Sequence, residues 1–186
     1  MTQPLLVSFL AGAIGAWRIE RVQGCRGDTL PAADRLDVVE GGIAAAKASA
    51  AWRLTGFTAE LRYTTGTERE TLTAVQEGLG RPAARRAALI PIRKSPAWWH
   101  LPQDERRAIF EQRSRHIAIG LDYLPAVARR LHHCRGLAEP FDFLTWFEYA
   151  PADAPAFDAM LARLRSTEEW SYVEREVDIR LIREDR

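Results

Sequence analysis

The chain has 186 residues, enough for one domain with a substantial buried core that needs no disulfide or metal staple. Its 26 Lys and Arg against 25 Asp and Glu leave a formal net charge of +1, which gives no reason to expect a nucleic-acid partner. The two cysteines, Cys25 and Cys134, lie far apart without a CxxC spacing, which argues against a disulfide framework or a zinc site and fits a reducing compartment.

In chain order, the first apolar stretch covers residues 5–16 and looks like the middle of a secretory signal, with Ala13-Ile14-Gly15-Ala16 resembling a cleavage site. No Lys or Arg precedes it, against the signal pattern, and it is too short to span a bilayer. The expectation is a strand over 5–10, a loop over 12–15, a second strand over 17–22, and a cytoplasmic protein with no membrane partner. Residues 28–51 are rich in small side chains and weakly patterned, which predicts a loop or a short marginal helix. From Trp52 onward, Phe57, Ala59, Leu61 and Tyr63 alternate with Thr58, Glu60 and Arg62 in the period of a half-buried strand.

Thr67 and Glu70 have the spacing of a capping box, and Leu72, Val75, Gln76 and Leu79 follow at helical intervals until Gly78 and Gly80 mark the end. A buried strand is predicted over 88–92. The basic residues Arg81, Arg85, Arg86, Arg93 and Lys94 cluster around it and are expected at a solvated surface. After Lys94-Ser95-Pro96-Ala97-Trp98-Trp99, a helix starts near Gln103 with Phe110, Ile117, Leu121 and Leu124 on one stripe. Leu124-Pro125 breaks it, because proline removes an amide donor and disfavours helical geometry in the residue before it. A second helical piece is predicted from there to about His133.

A strand over 141–149, a helix opened by Asp153 and Pro155 with Phe157, Met160, Leu161 and Leu164 on its core face, and a last strand through Val177, Ile179 and Leu181 complete the chain. Strand-helix-strand thus occurs twice. That order predicts an α+β fold, a ferredoxin-like antiparallel sheet or barrel with helices packed outside, in a single domain over 1–186.

The candidate site begins with His116, beside the apolar stripe, where a histidine is either a boundary residue or a metal ligand. Gly120, one turn later on the same side, would leave room for a flat macrocycle. On one unbroken helix, His116 and Arg129 would lie roughly 20 Å apart along the axis, so the break at Pro125 is needed before they can share a ligand. Glu168 or Glu169 could accept a hydrogen bond from the free ring nitrogen of His116, which would fix the ring and strengthen it as a donor. The residues do not choose between them. Arg129 or Arg130 could attract an oxyanion through charge-assisted hydrogen bonds, for which lysine is a poorer substitute. Gln76 on its helix needs a partner, either backbone or Arg129. In His132-His133-Cys134, adjacent residues on a helix would diverge by about 100° each, so a metal cluster there is disfavoured.

Read together, Lys94-Ser95-Pro96-Ala97-Trp98-Trp99, Asp104-Glu105-Arg106-Arg107-Ala108-Ile109-Phe110-Glu111, His116, Arg129, and Phe141-Asp142-Phe143-Leu144-Thr145-Trp146-Phe147-Glu148-Tyr149 closely resemble the chlorite dismutase family. Thr167-Glu168-Glu169-Trp170 and Gln76-Glu77-Gly78-Leu79-Gly80-Arg81 extend the likeness, which covers most of the chain from Trp52 onward. The short length resembles the family's dimeric branch.

The resemblance implies a haem b enzyme with His116 as proximal iron ligand, Glu169 as its hydrogen-bond partner and Lys94 in the same network. Arg129 would be the distal arginine and Gln76 its neighbour, with Trp98, Trp99 and Leu124 lining the haem pocket. The implied reaction turns chlorite into chloride and dioxygen through a ferryl haem and a hypochlorite-like fragment held by Arg129, in a homodimer. Two alternatives remain open at this point: a coproporphyrin-iron decarboxylase, whose relatives generally lack the distal arginine, and a haem carrier or sensor.

Overall fold

The computed structural model describes residues 4–41, 50–59 and 64–184. Within them, eight antiparallel strands close into a barrel in the order β1-β3-β2-β8-β5-β7-β6-β4. The strands are β1 (Leu6–Gly12), β2 (Trp17–Arg26), β3 (Arg35–Glu40), β4 (Trp52–Thr58), β5 (Arg86–Lys94), β6 (Val127–His133), β7 (Phe143–Tyr149) and β8 (Val173–Arg183). Cut into halves, the barrel is two four-stranded sheets with one strand order. Counting within each half, that order is 4-1-3-2, the ferredoxin-like arrangement expected from the sequence.

The halves meet at two seams. β2 pairs with β8 from Trp17 opposite Arg183 to Arg26 opposite Glu176, whereas the pairing of β4 with β6 among the described residues is Phe57 opposite His133 and Thr58 opposite His132.

The helices follow the same chain order: α1 (Gly66–Val75), α2 (Pro96–His100), α3 (Gln103–Arg107), α4 (His116–Leu121) and α5 (Ala154–Arg165). α2 to α4 form the crossover between β5 and β6, and α5 forms the crossover between β7 and β8. Side chains alternate across each strand and build two cores. Ala87 and Leu89 of β5 point into the barrel with Phe9, Trp17, Leu36 and Trp146. Ala88 and Ile90 point outward, where Phe147, Phe157, Met160 and Leu161 pack between sheet and helices. Full burial of one such side chain stabilises by about 1.5–3 kcal/mol, so both faces of the second half are strongly specified.

Four expectations need correction. Residues 28–51 are not all loop, because β3 lies within them, with Val38 packed against the barrel core and Leu36 fully inside it. The capping box uses Thr65 and Glu68, two residues earlier than the sequence pair Thr67 and Glu70 but at the same spacing. Leu61 and Tyr63 of the predicted strand lie outside the described residues.

The chain beyond Pro125 is a strand and not a helix. Val127 to His133 pair residue for residue with Tyr149 to Phe143 of β7. Pairing to an existing sheet outweighs the helix preference of Ala128, Arg129, Arg130 and Leu131, which amounts to a few tenths of a kcal/mol per residue. Finally, the helix from Gln103 does not run unbroken to Leu124. After α3 it widens into a π-type turn, in which Ser114 N donates to Ile109 O, and Arg115 adopts a left-handed φ of 52° before α4 begins.

Candidate functional site

The break at Arg115 sets the direction of His116. The Arg115 side chain does not cap α4; instead the Glu111 carboxylate accepts from Ile117 N at 2.7 Å and Ala118 N at 3.3 Å, satisfying free amides at the start of the helix. Phe110 stacks on the imidazole with ring centroids 4.6 Å apart. His116 Nδ1 then meets Glu169 Oε2 at 2.7 Å.

Glu169 is the acidic residue selected. It lies in the 3-10 turn Glu168–Tyr172 before β8, where Glu168 faces outward to pair with Arg113 at 3.3 Å. The Glu169 backbone is held too, its amide donating to Ser114 Oγ at 2.8 Å. Its other carboxylate oxygen takes Lys94 Nζ at 2.7 Å, and Lys94 also donates to the Glu169 carbonyl at 3.3 Å. Side-chain exposure of Lys94 is 2% and of Glu169 4%, so this is a buried ion pair. The Lys94 ammonium sits 4.5 Å from the Trp98 ring centroid and 5.7 Å from that of Trp170. Burial alone would raise the Glu169 pKa, but the charges and hydrogen bonds of His116 and Lys94 hold it down at about 2. The carboxylate is therefore ionised at neutral pH, and it leaves the second ring nitrogen of His116 to face elsewhere.

Arg129 arrives from the opposite side. On β6 it points to the outer face, opposite Phe147 of β7, while His132 points into the barrel against Phe9, with ring centroids 5.2 Å apart. The Arg129 guanidinium reaches α4 at Gly120, one turn beyond His116. A Cβ at Gly120 would fall well inside contact distance of Arg129 Nη1, so this close approach requires glycine. The space that Gly120 leaves is filled here by Arg129. Gln76, the C-cap of α1, donates from Nε2 to the Arg129 carbonyl at 2.9 Å; its described partner is thus the backbone of that residue.

The remaining expected residues divide. Trp99 stacks on Phe143, donates to Asp142 at 3.3 Å and belongs to the outer core facing this space. Trp98 lies behind it, buried against Lys94 and Tyr172. Leu124 is half-buried in the connection between α4 and β6, next to a cis Leu124-Pro125 bond. A cleft of about 570 Å³ borders Gln76, Gly80, Arg129 and Arg130, but its other walls include Trp17, Trp146 and Glu148 at the barrel mouth, and His116 is not among them.

The basic cluster expected at one surface is dispersed: Lys94 is buried, Arg86 pairs with Glu20, and Arg93 pairs with Glu174. His132, His133 and Cys134 do not converge either. His132 bonds to the Leu144 carbonyl inside the barrel, and Cys134 donates to the Phe141 carbonyl.

Three residues that hold the site escaped the sequence reading. Ser114, Glu111 and Asp142 all act on main-chain amides, Asp142 by accepting from Lys94 N at 2.8 Å, so nothing in their chemistry marks them as special. The faint signal was position: Glu111 and Asp142 fall inside the two motifs around His116 and β7.

The sequence and the fold are shared with known proteins. The family model described as chlorite dismutase matches residues 43–183. The chain is 54% identical to the dimeric chlorite dismutases from Nitrobacter winogradskyi, with a TM-score of 0.89 over 95% of this chain and 99% of that one. It is 33% identical over 90 residues to chlorite dismutase from Ideonella dechloratans, a match spanning 48% of this chain and 30% of that relative's length. A variant of chlorite dismutase from Candidatus Nitrospira defluvii shares the fold, with a TM-score of 0.69 at 17% identity.

Proposed function

This chain belongs to the chlorite dismutase family, and from that premise we propose that it is a haem b enzyme that converts chlorite to chloride and dioxygen. The observation that carries the reading is the pairing of His116 Nδ1 with the buried, ionised Glu169 while the Arg129 guanidinium stands one turn away at Gly120. The donor set fits a haem. One ring nitrogen of His116 is fixed by a carboxylate, so the other is available to iron, and the neighbouring walls are aromatic and aliphatic.

When bound, the haem supplies an iron centre that can accept an oxygen atom from chlorite. The residues of the chain do the rest. Glu169 holds the imidazole in one tautomer, with the proton on Nδ1, and makes His116 a stronger donor. Lys94 keeps Glu169 ionised and prevents it from turning away. From the strand wall, the Arg129 guanidinium would attract the chlorite anion and would hold its chlorine-containing remnant close by through charge-assisted hydrogen bonds. Gln76 steadies Arg129 through its carbonyl. Trp99 and Leu124 close the pocket to bulk water, and Trp98 shields the Lys94-Glu169 pair. By analogy with the Nitrobacter relatives, the working unit is a homodimer.

The test is dioxygen release from chlorite, followed with an oxygen electrode on haem-loaded protein. The parent should release oxygen rapidly, His116→Ala should fail to retain haem, and Arg129→Ala should turn over for fewer cycles before bleaching. A fully loaded parent that releases no oxygen would sink the reading, and parental endurance in Arg129→Ala would remove the retention role.

A further inference from the structure

Arg129 depends on how firmly the first residues of β6 are held. β4 covers the far end of β6 at Phe57 and Thr58, and Ala59 N donates to Leu131 O at 3.1 Å. Toward the start of β6, side chains from segment 76–81 take over the hold on its backbone. Gln76 takes the Arg129 carbonyl, as described, and Arg81 takes the next groups along. Its Nη1 donates to Pro125 O at 3.1 Å, and its Nη2 donates to Ala126 O at 3.0 Å and to Glu148 O of β7 at 3.5 Å.

Arg81 is itself anchored from both ends. Glu77 pairs with Nη1 at 2.6 Å, and Gly80 N donates to the buried Glu148 carboxylate at 2.6 Å, with Gly80 at a φ of +81° that favours glycine. The second Glu148 oxygen accepts from Trp146 Nε1 at 2.9 Å, which ties the clamp to the barrel core. Arg81 Nε is buried without a hydrogen-bond partner among the described residues, so the two terminal nitrogens alone orient the fork. A lysine would offer one point of attachment where this site uses two nitrogens on three carbonyls.

We propose that Arg81 is a positioning residue for Arg129, its guanidinium fixing the start of β6 and so the point from which Arg129 reaches the space beside His116. The inference rests on the reading of Arg129 as the residue that holds the anion. It predicts that Arg81 matters to anion binding only while Arg129 is present.

The experiment is an absorbance titration of ferric, haem-loaded protein with azide, which needs no turnover. The proteins compared are the parent, Arg81→Gln, Arg81→Lys, Arg129→Gln and the double variant Arg81→Gln/Arg129→Gln, each checked for haem stoichiometry. Loss of a charge-assisted hydrogen bond in Arg129→Gln should weaken azide about tenfold. Arg81→Gln and Arg81→Lys should each weaken it about threefold, and Arg81→Gln should add nothing once Arg129 is gone, since residues acting in one chain of contacts are not additive.

Unchanged binding in Arg129→Gln would remove the reading of Arg129 and the proposal with it. With Arg129→Gln weakened as expected, three results overturn the role of Arg81 alone: parental binding in Arg81→Gln, full recovery in Arg81→Lys, or an equal loss from Arg81→Gln in both backgrounds. Recovery with lysine would mean that charge matters and the fork does not.

Discussion

The two walls of the site are built on different principles. On the helical wall, His116 is held by side-chain charge: Glu169 on the ring, Lys94 on Glu169, and the aromatic faces of Trp98 and Trp170 around Lys94. On the strand wall, the described bonds that fix Arg129 act on main-chain carbonyls, through pairing with β7 and the grip of Gln76. A buried ion pair is costly to disturb because removing one member strands the other in a poor solvent for charge. Hydrogen bonds to a strand backbone are individually worth about 1 kcal/mol. The helical wall should therefore fail abruptly and the strand wall by degrees.

The largest effect is expected from Glu169→Ala, which leaves the Lys94 ammonium buried and unpaired. Unfolding by denaturant should show a loss of about 3–5 kcal/mol. If the loss is below about 1 kcal/mol, water reaches Lys94 and the contrast between the walls disappears.

Acid should separate the walls next. Burial lowers the His132 pKa from 6.5 to about 4, more than its bond to the Leu144 carbonyl can offset. In the unfolded chain this histidine takes up a proton below pH 6.5, and in the folded barrel only below about 4. Its contribution is therefore complete above pH 6.5 and is lost as pH falls through that window, by about 3 kcal/mol at pH 4. Glu169, held at about 2, stays ionised throughout. Stability measured from pH 7 to 4 should flatten in His132→Phe. An unchanged slope would mean that other groups carry the acid sensitivity.

Ser114→Ala should cost about 1–3 kcal/mol, because the Glu169 amide then lies buried without its acceptor. Stability within error of the parent would indicate a substitute partner. The smallest stability change is expected for Gly120→Ala, up to about 1 kcal/mol in favour of the variant from helix propensity. The new methyl group must nevertheless push the flexible end of Arg129 aside, so oxygen yield from chlorite should fall while the melting temperature holds or rises. Parental yield would show that Arg129 works from another position.

The same contrast explains what was legible in the sequence. His116 stood out because a ligating side chain beside an apolar stripe is informative, whereas Lys94 read as one of a basic surface cluster and entered the site only through the family resemblance. The apolar run of β5 and the alternation in β8 marked strands of the sheet. β6 was misread because Ala128-Arg129-Arg130-Leu131 favours a helix locally, and only β7 makes it a strand. β3 was missed because two apolar core positions, Leu36 and Val38, among acidic neighbours are too few to show a period. Residue chemistry alone did not separate Glu168 from Glu169; the resemblance implied Glu169, and the turn before β8 faces that residue inward and Glu168 out. Ser114 left no trace, and Glu111 only its place in a motif, because they act on amides that every residue possesses.

The unequal seams of the barrel bear on its breathing. Of the two seams between the halves, the one with the shorter described ladder, β4 with β6, should open more readily than β2 with β8. Amide protons of β6 should therefore exchange with deuterium sooner than those of β8. Arg129 lies beside that earlier-opening joint, whereas Glu169 is carried on the turn leading into the slower-exchanging strand.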